Sequence, residues 1–397
     1  MQPKYEVADV INNFYDQAFR VRIPFHHQRT LEALQSCRTA ALGGHLDACD
    51  ECGFLKISYN SCRNRNCPKC QGLHKEMWVI QREEELLPIA YFHVVFTLPH
   101  ELNGLCLHNP RFMYDLLFEA AWHVLKSFGD DVQWLGAQSA ATMILHTWGQ
   151  NLQLHPHVHC IVPNGGIRTD GTWQNPRKGN SQFIYPIKAM NKVYKAFFMR
   201  KMRASLEKGL LSLPKDFPSA KNYYNWKENL YKKNWVVYAK PPFGGPKNVV
   251  NYLARYSHKI AISNHRIVNV DSQNVTFLYR DYADKGRKKA MTLKGEHFLQ
   301  RFCLHILPGR FRKIRHFGFL SNGVKNKRLN QAKKSLINKK HIALSRTERK
   351  ALAKQRLFSK QSVLCPCCQK GIMVAIGMFS KNKDPPFCPL TSSLHII

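Results

Sequence analysis

Residues 145–166 read LHTWGQNLQLHPHVHCIVPNGG, which packs His146, His155, His157 and His159 with Gln150 and Gln153 into one short stretch. Pro163-Asn164-Gly165-Gly166 is a break signal, so the apolar run Val158–Val162 before it reads as a strand. In a strand, residues i and i+2 face the same way, so His157 and His159 project from one side while Val158 and Cys160 enter the core. Two imidazoles side by side make most of a three-ligand divalent-metal site. Gln150, from the neighbouring strand or its end, would offer an oxygen in the third position, and His146 and His155 compete for it. Two imidazoles, an amide oxygen and open positions suit Mg2+ or Mn2+ acting as a Lewis acid on a phosphate oxygen. They do not suit a closed zinc site.

Working outward, Tyr91–Leu98 and Ala141–Trp148 are further strand candidates, the first closed by Pro99. Arg111–Phe128 reads as a helix whose apolar face holds Leu116, Leu117, Ala120, Ala121, Val124 and Leu125, and another helix is expected at Lys188–Leu211. A strand at Trp235–Ala239 leads through the breakers Pro241–Pro246 into a helix at Val249–His258. Short strands are expected near Ile262–Val270, Val275–Tyr279 and Lys288–Leu293. At the other end, Val10, Phe14, Phe19, Leu31 and Leu34 give residues 1–36 helical spacing, interrupted by Pro24. Strands and helices come in runs and not in strict alternation, which predicts an α+β fold with a central antiparallel sheet flanked by helices.

Asn251–His258, NYLARYSH, sets Tyr252 and Tyr256 four residues apart on one helical face. Arg255, His258, Lys259 and Arg266 lie close by in sequence, an environment for a phosphate more than for a core. Both hydroxyls could point at a metal-bound phosphodiester. Attack by a tyrosine on phosphorus leaves a phosphotyrosyl ester that conserves the bond energy, so a strand can be rejoined without ATP. In keeping with this, the chain carries no G-x-x-x-x-G-K-[ST] motif, and no nucleotide cofactor is expected.

The 397 residues include 60 Lys and Arg against 26 Asp and Glu, a net charge of +34 that calls for a polyanionic partner. That length allows two or three domains. Apolar content of 44% excludes wholly disordered and collagenous classes. The N-terminus lacks a secretory apolar core, and no uncharged apolar run is long enough to span a bilayer. The expectation is a cytoplasmic, nucleoid-associated protein without a membrane partner.

In a reducing compartment 13 cysteines point to metal more than to disulfides. Cys49, Cys52, Cys67 and Cys70 have the C-x2-C…C-x2-C spacing of two knuckles on one structural Zn2+. Cys37, His45, Cys62 and His74 leave room for a swapped ligand or a second site. Arg63, Arg65 and Lys69 within this segment are candidate phosphate contacts. From Arg310 to Lys360 there are seventeen Lys or Arg and one acid, Glu348. This stretch, with Arg312, Lys313 and Arg315, reads as a basic arm or helix lying along DNA phosphates. Beyond it, Cys365 and Cys368 form half a knuckle, with Cys388 further on.

Together, the histidine stretch, WVVYAKPPFGGPKNVVNYLARYSHKIAISNHRI and CDECGFLKISYNSCRNRNCPKCQ resemble the two-tyrosine rolling-circle transposases of bacterial insertion sequences. These belong to the His-hydrophobic-His endonucleases, with replication initiators and relaxases. The likeness spans residues 15–325, and the stretch after residue 370 departs from it. It implies a ferredoxin-like or RNA-recognition-motif-like sheet, His157 and His159 as the metal-binding pair with Gln150 as third ligand, and Tyr252 and Tyr256 as nucleophiles. By the same likeness Cys49, Cys52, Cys67 and Cys70 fall on an N-terminal zinc-binding domain. The expected division is a zinc-binding DNA-binding domain over 1–85, a catalytic domain over 86–325 and a basic arm over 326–397. The implied activity is metal-dependent cleavage of single-stranded DNA at element ends and transfer to a target, through 5′-phosphotyrosine. A replication initiator or relaxase, or a non-catalytic zinc-dependent DNA-binding protein, are the rival readings.

Overall fold

The computed structural model describes residues 3–178, 185–215, 217–240, 248–250, 260–360 and 364–381. Strands form at Gly44–Cys49 (β1), Leu55–Tyr59 (β2), Tyr91–Thr97 (β3), Ala140–Trp148 (β4), Leu154–Pro163 (β5), Gly166–Ile167 (β6) and Trp173–Gln174 (β7). They continue at Val237–Lys240 (β8), Ile267–Val270 (β9), Asn274–Asp281 (β10), Arg287–Lys294 (β11), Ile314–Gly318 (β12) and Met373–Phe379 (β13). The central sheet has the order β12-β4-β5-β3-β8 and every pairing in it is antiparallel. Among the described residues this is the expected α+β architecture.

The inner strands β3, β4 and β5 are rich in β-branched and aromatic residues and are buried along nearly their whole length. One face carries Val94, Phe96, Met143, Leu145, Val158 and Cys160 into the main core. Helices Pro110–Asp130 and Ile187–Glu207 cover that face. Proline suits the first turn of the former, because its missing N–H would have no partner there. The opposite face holds Ile144 and Ile161 in a small cluster with Tyr91 and Val249. Val249 belongs to a helical turn at 248–250, and the rest of the helix expected at Val249–His258 lies outside the described residues. Strand β5 starts four residues before the expected Val158. It takes in Pro156 beside a register shift between His146 and Trp148, where a missing N–H is tolerated.

The N-terminal helices Val7–Phe14, Gln17–Arg20 and Phe25–Gln35 do not close a core with the cysteine segment alone. Val10, Ile11, Phe19, Leu31 and Leu34 share one with Ile267, Phe277, Phe298, Leu299 and Phe302, from the β9-β10-β11 sheet and helix Gly295–Cys303. The basic stretch from Arg310 to Lys360 and the segment after it pack on the rest of the protein. Ile314–Gly318 is an edge strand of the central sheet, β13 pairs with β1, and helix Arg346–Lys360 lies against helix Gly72–Glu85. Acids on the shorter helix explain that docking. Arg349 makes a two-pronged contact with Glu84 (2.8 and 2.9 Å), and Arg356 reaches Glu83 at 2.8 Å. Deeper in, Glu85 takes both Arg82 and Lys325 at 2.7 Å.

Two histidines of this scaffold are held neutral. His305 donates from Nε2 to the carbonyl of Leu152 at 3.1 Å and meets Thr147 Oγ1 through Nδ1 at 3.2 Å. Burial lowers it to about 4, and burial with Arg82 beside it lowers His316 to about 3. The unfolded chain therefore takes up protons first as the pH falls through about 6.5, the ordinary histidine value. Their stabilising contribution is complete above that value and is lost towards pH 4 and below. The urea midpoint is expected to drop between about pH 7.5 and about pH 5, above the carboxylate range, and less steeply in His305→Gln. An unchanged midpoint would contradict this assignment.

Candidate metal centre and nucleic-acid cleft

Antiparallel register decides which imidazoles meet. His157 and His159 alternate with core residues along β5, and His146 on β4 stands directly opposite His157. The three side chains bring one ligand nitrogen each within 4.8 Å of one another. His146 is the third imidazole of this group. Gln150 lies beyond the end of β4 and lines the same cleft, as does His155. The donor set fits a divalent cation with part of its coordination sphere open to the cleft.

Neighbouring groups orient these rings. His93 on β3 meets His159 Nδ1 through its own Nε2 at 2.8 Å, and the two rings stack at 5.1 Å. In the tautomer suited to ligation, Nδ1–H of His159 donates to His93 and Nε2 would be left to hold a cation. Burial, with Lys240 nearby, lowers His93 to about 4 and keeps it neutral. Nδ1 of His157 donates to the carbonyl of His155 at 2.7 Å, which leads to the same outcome for that ring. His146 stacks on Trp148 at 4.5 Å. His93 was missed in the sequence, although an imidazole inside the apolar run YFHVVFTL was the available signal.

The turn between β4 and β5 is clamped. The carbonyls of Gln150, Asn151 and Leu152 accept in succession from Arg266, Arg301 (3.0 Å) and His305 (3.1 Å). Leu152 adopts φ 62°, a left-handed backbone that costs a leucine of order 1–3 kcal/mol, and it is fully buried in the N-terminal core. That burial and the three donors offset the strain. The turn forms one wall of a cleft of about 880 Å3, lined also by Asn103, Trp148, Gln153 and Tyr282 and by the three histidines.

The cysteines divide differently from the expected set. Cys49 and Cys52 do not meet Cys67 and Cys70. Cys67 and Cys70 gather with Cys37 and Cys62, and Cys49 and Cys52 gather with Cys365 and Cys368. Strand β1 and its hairpin carry Cys49 and Cys52 to the β13 side. Cys37, at the end of helix Phe25–Gln35, is fully buried beside Cys67. In the first group Sγ–Sγ distances are 3.5 Å (Cys37–Cys67) and 3.7 Å (Cys62–Cys70). A tetrahedral zinc with Zn–S of about 2.3 Å separates its sulfurs by about 3.8 Å, so this donor set fits zinc. His45 instead lies 3.5 Å from Asp47.

Several expected phosphate contacts are structural. Arg65 donates to the carbonyls of Phe311, Leu307 and Pro308, and Arg266 to those of Leu278 and Gln150. Arg315 pairs with Asp115 and covers the Phe118 ring at 4.2 Å, and Lys69 pairs with Glu6. Lys313 is lowered to about 8 by burial, with Arg65 nearby. Arg63 and Arg312 are exposed. Tyr252, Arg255, Tyr256, Lys259 and Cys388 lie outside the described residues.

In zinc-replete protein titrated with Mn2+, His146→Ala is expected to weaken binding at least tenfold, and His93→Ala by roughly 10–100-fold through lost orientation. Gln150→Ala should change it little. Calorimetry that ranks Gln150→Ala above His146→Ala would return the third position to the amide.

Residues 140–328 match a family described as a putative transposase, and residues 8–98 match the transposase zinc-binding domain. The putative transposase y4qJ of Sinorhizobium fredii is 38% identical, over 98% of both chains. The transposase for insertion sequence element IS801 of Pseudomonas savastanoi pv. phaseolicola is 28% identical, over 74% of this chain and 70% of its own length. Among solved structures, the conjugative relaxase TrwC in complex with oriT DNA aligns with 42% of this chain and 70% of its own. The two share 11% identity with a TM-score of 0.23. With one relative alike from end to end and both family matches falling on the two halves that carry the thiols and the imidazoles, the chain belongs to the IS91-type rolling-circle insertion-sequence transposases with an N-terminal zinc-binding domain.

Proposed function

We propose that this transposase cuts single-stranded DNA at the ends of its insertion sequence and joins it to a target through tyrosyl-phosphate intermediates. The observation that carries this reading is the cluster of three oriented imidazoles in a cleft of about 880 Å3. A divalent ion held there would polarise a non-bridging phosphate oxygen, and an imidazole set favours Mn2+ or another first-row ion over Mg2+. Tyr252 or Tyr256 then supplies the nucleophile. Its oxygen bonds to phosphorus, the P–O3′ bond breaks, the tyrosine proton leaves to solvent, and the departing 3′ oxygen takes up a proton. The products are a 5′-phosphotyrosine and a free 3′-OH. Support for this assignment comes from the residues just before Tyr252. Val249, three residues before Tyr252 in sequence, packs with Ile144 and Ile161 on the histidine-bearing face of the sheet.

The partner strand needs cations and stacking surfaces. On helix Arg346–Lys360, Arg349 and Arg356 are spent on Glu84 and Glu83, whereas Arg346, Lys350 and Lys354 are exposed at four-residue intervals, one turned-out row. Together with Arg63 and Arg312 this row would follow phosphates. Trp148 and the 73%-exposed ring of Tyr282 line the cleft and would stack unpaired bases.

Incubation with a labelled single-stranded end oligonucleotide and Mn2+ should give a covalent adduct that disappears in Tyr252→Phe/Tyr256→Phe. Persistence of the adduct in that double variant, or no adduct with any element end, would reject the assignment. Lys350→Ala and Lys354→Ala should each weaken single-strand binding at every sequence and flatten the log-affinity against log-salt slope by about 0.7. A slope unchanged in both would remove that helix from the DNA interface.

A further inference from the structure

The transposase zinc-binding match ends at residue 98, yet half of the second thiol group comes from the other end of the chain. Cys49 Sγ lies 3.7 Å from Cys368 Sγ, and Cys52 Sγ 3.6 Å from Cys365 Sγ. A disulfide needs about 2.05 Å between sulfurs, whereas the edge of a zinc–thiolate tetrahedron is about 3.8 Å. Both halves are built as knuckles that turn backbone N–H groups onto sulfur. Cys52 N donates to Cys49 Sγ at 3.5 Å, Cys367 N to Cys365 Sγ at 3.4 Å and Gly371 N to Cys368 Sγ at 3.4 Å.

Around the thiols the two segments are laced by backbone. Strand β13 pairs with β1 from Gly44↔Phe379 to Cys49↔Met373. Asp50 N donates to the carbonyl of Ile372 at 3.2 Å, and its Oδ1 accepts from Ile372 N at 2.7 Å. Gly371 fits this junction because it has no side chain. A Cβ there would lie 2.4 Å from Cys49 Sγ and 2.6 Å from Asp50 Oδ1.

We infer that Cys49, Cys52, Cys365 and Cys368 hold a second structural zinc ion that fastens residues 364–381 to the N-terminal zinc-binding module. The zinc-binding unit is thereby discontinuous: its β1-β2 hairpin is completed by the chain's far end. Zinc in this position closes a loop of more than three hundred residues, where a cross-link restricts the unfolded chain strongly. It also keeps both flanks of the docked basic helix Arg346–Lys360 anchored, since the strand at its C-terminal side can no longer leave.

The test measures metal content of the full chain by mass spectrometry, after a mild chelator wash that removes weakly held ions. Thiolate ligation is read separately from the charge-transfer absorption of the cobalt-substituted protein, to which imidazole sites do not contribute. Wild type is expected to hold two thiolate-bound metals, Cys365→Ser/Cys368→Ser one, and Cys368→His two, because imidazole can replace a thiolate. Limited proteolysis should cut between residues 361 and 381 at least tenfold faster in the double serine variant and at the wild-type rate in Cys368→His. Should the double serine variant fail to fold, wild type and Cys368→His still decide the matter through their cobalt spectra and stoichiometry. One thiolate-bound metal in wild type, or two in the double serine variant, would overturn the inference.

Discussion

The pairing of His146 with His157 across the β4–β5 hairpin is the constraint on which the site depends. Side chains in a strand alternate, so a slip of one residue would send His146 into the core and bring an apolar neighbour to the cleft. The hairpin is secured at both levels. Along its length Val158 and Cys160 are locked beneath the helices, and at its turn three consecutive carbonyls are held by Arg266, Arg301 and His305. Leu152 accepts an unfavourable backbone because its side chain is anchored in a core built from the N-terminal helices and the β9-β10-β11 sheet. The imidazoles are thus positioned by a part of the protein that carries none of them.

Positive charge serves two purposes in this chain. Arg65, Arg266, Arg301 and Arg315 are spent internally, on carbonyls or on Asp115, where the planar guanidinium with its several donors is the suitable group. Arg349 and Arg356 dock the C-terminal helix on the acids of Gly72–Glu85, leaving Arg346, Lys350 and Lys354 facing outward. The excess of cations over acids is therefore partly architecture, and only the remainder is available to a polyanion.

Local patterns were legible in the sequence. The runs YFHVVFTL and ATMILHTW became β3 and β4, and Arg111–Phe128 became a helix, because apolar periodicity reflects the face that each element buries. Alternation likewise put His157 and His159 on one side. What could not be read was long-range. Which thiol pairs share a site depends on β13 meeting β1, and C-x2-C spacing identifies knuckles without pairing them. Which of Gln150, His146 and His155 stands nearest the pair could not be read, because their placement depends on the register of the hairpin and its bulge. The stretch RFRKIRHFGF read as an arm because its charges mask a short edge strand, whose Arg315 is neutralised by Asp115 far away in sequence.

Three imidazoles converge where one cation could be held. Pulsed electron paramagnetic resonance of zinc-replete protein carrying one Mn2+ counts nitrogen ligands directly through their hyperfine couplings. Three imidazole nitrogens are expected, falling to two in His146→Ala. Two or fewer in the unaltered protein, or a count that His146→Ala leaves unchanged, would contradict the account.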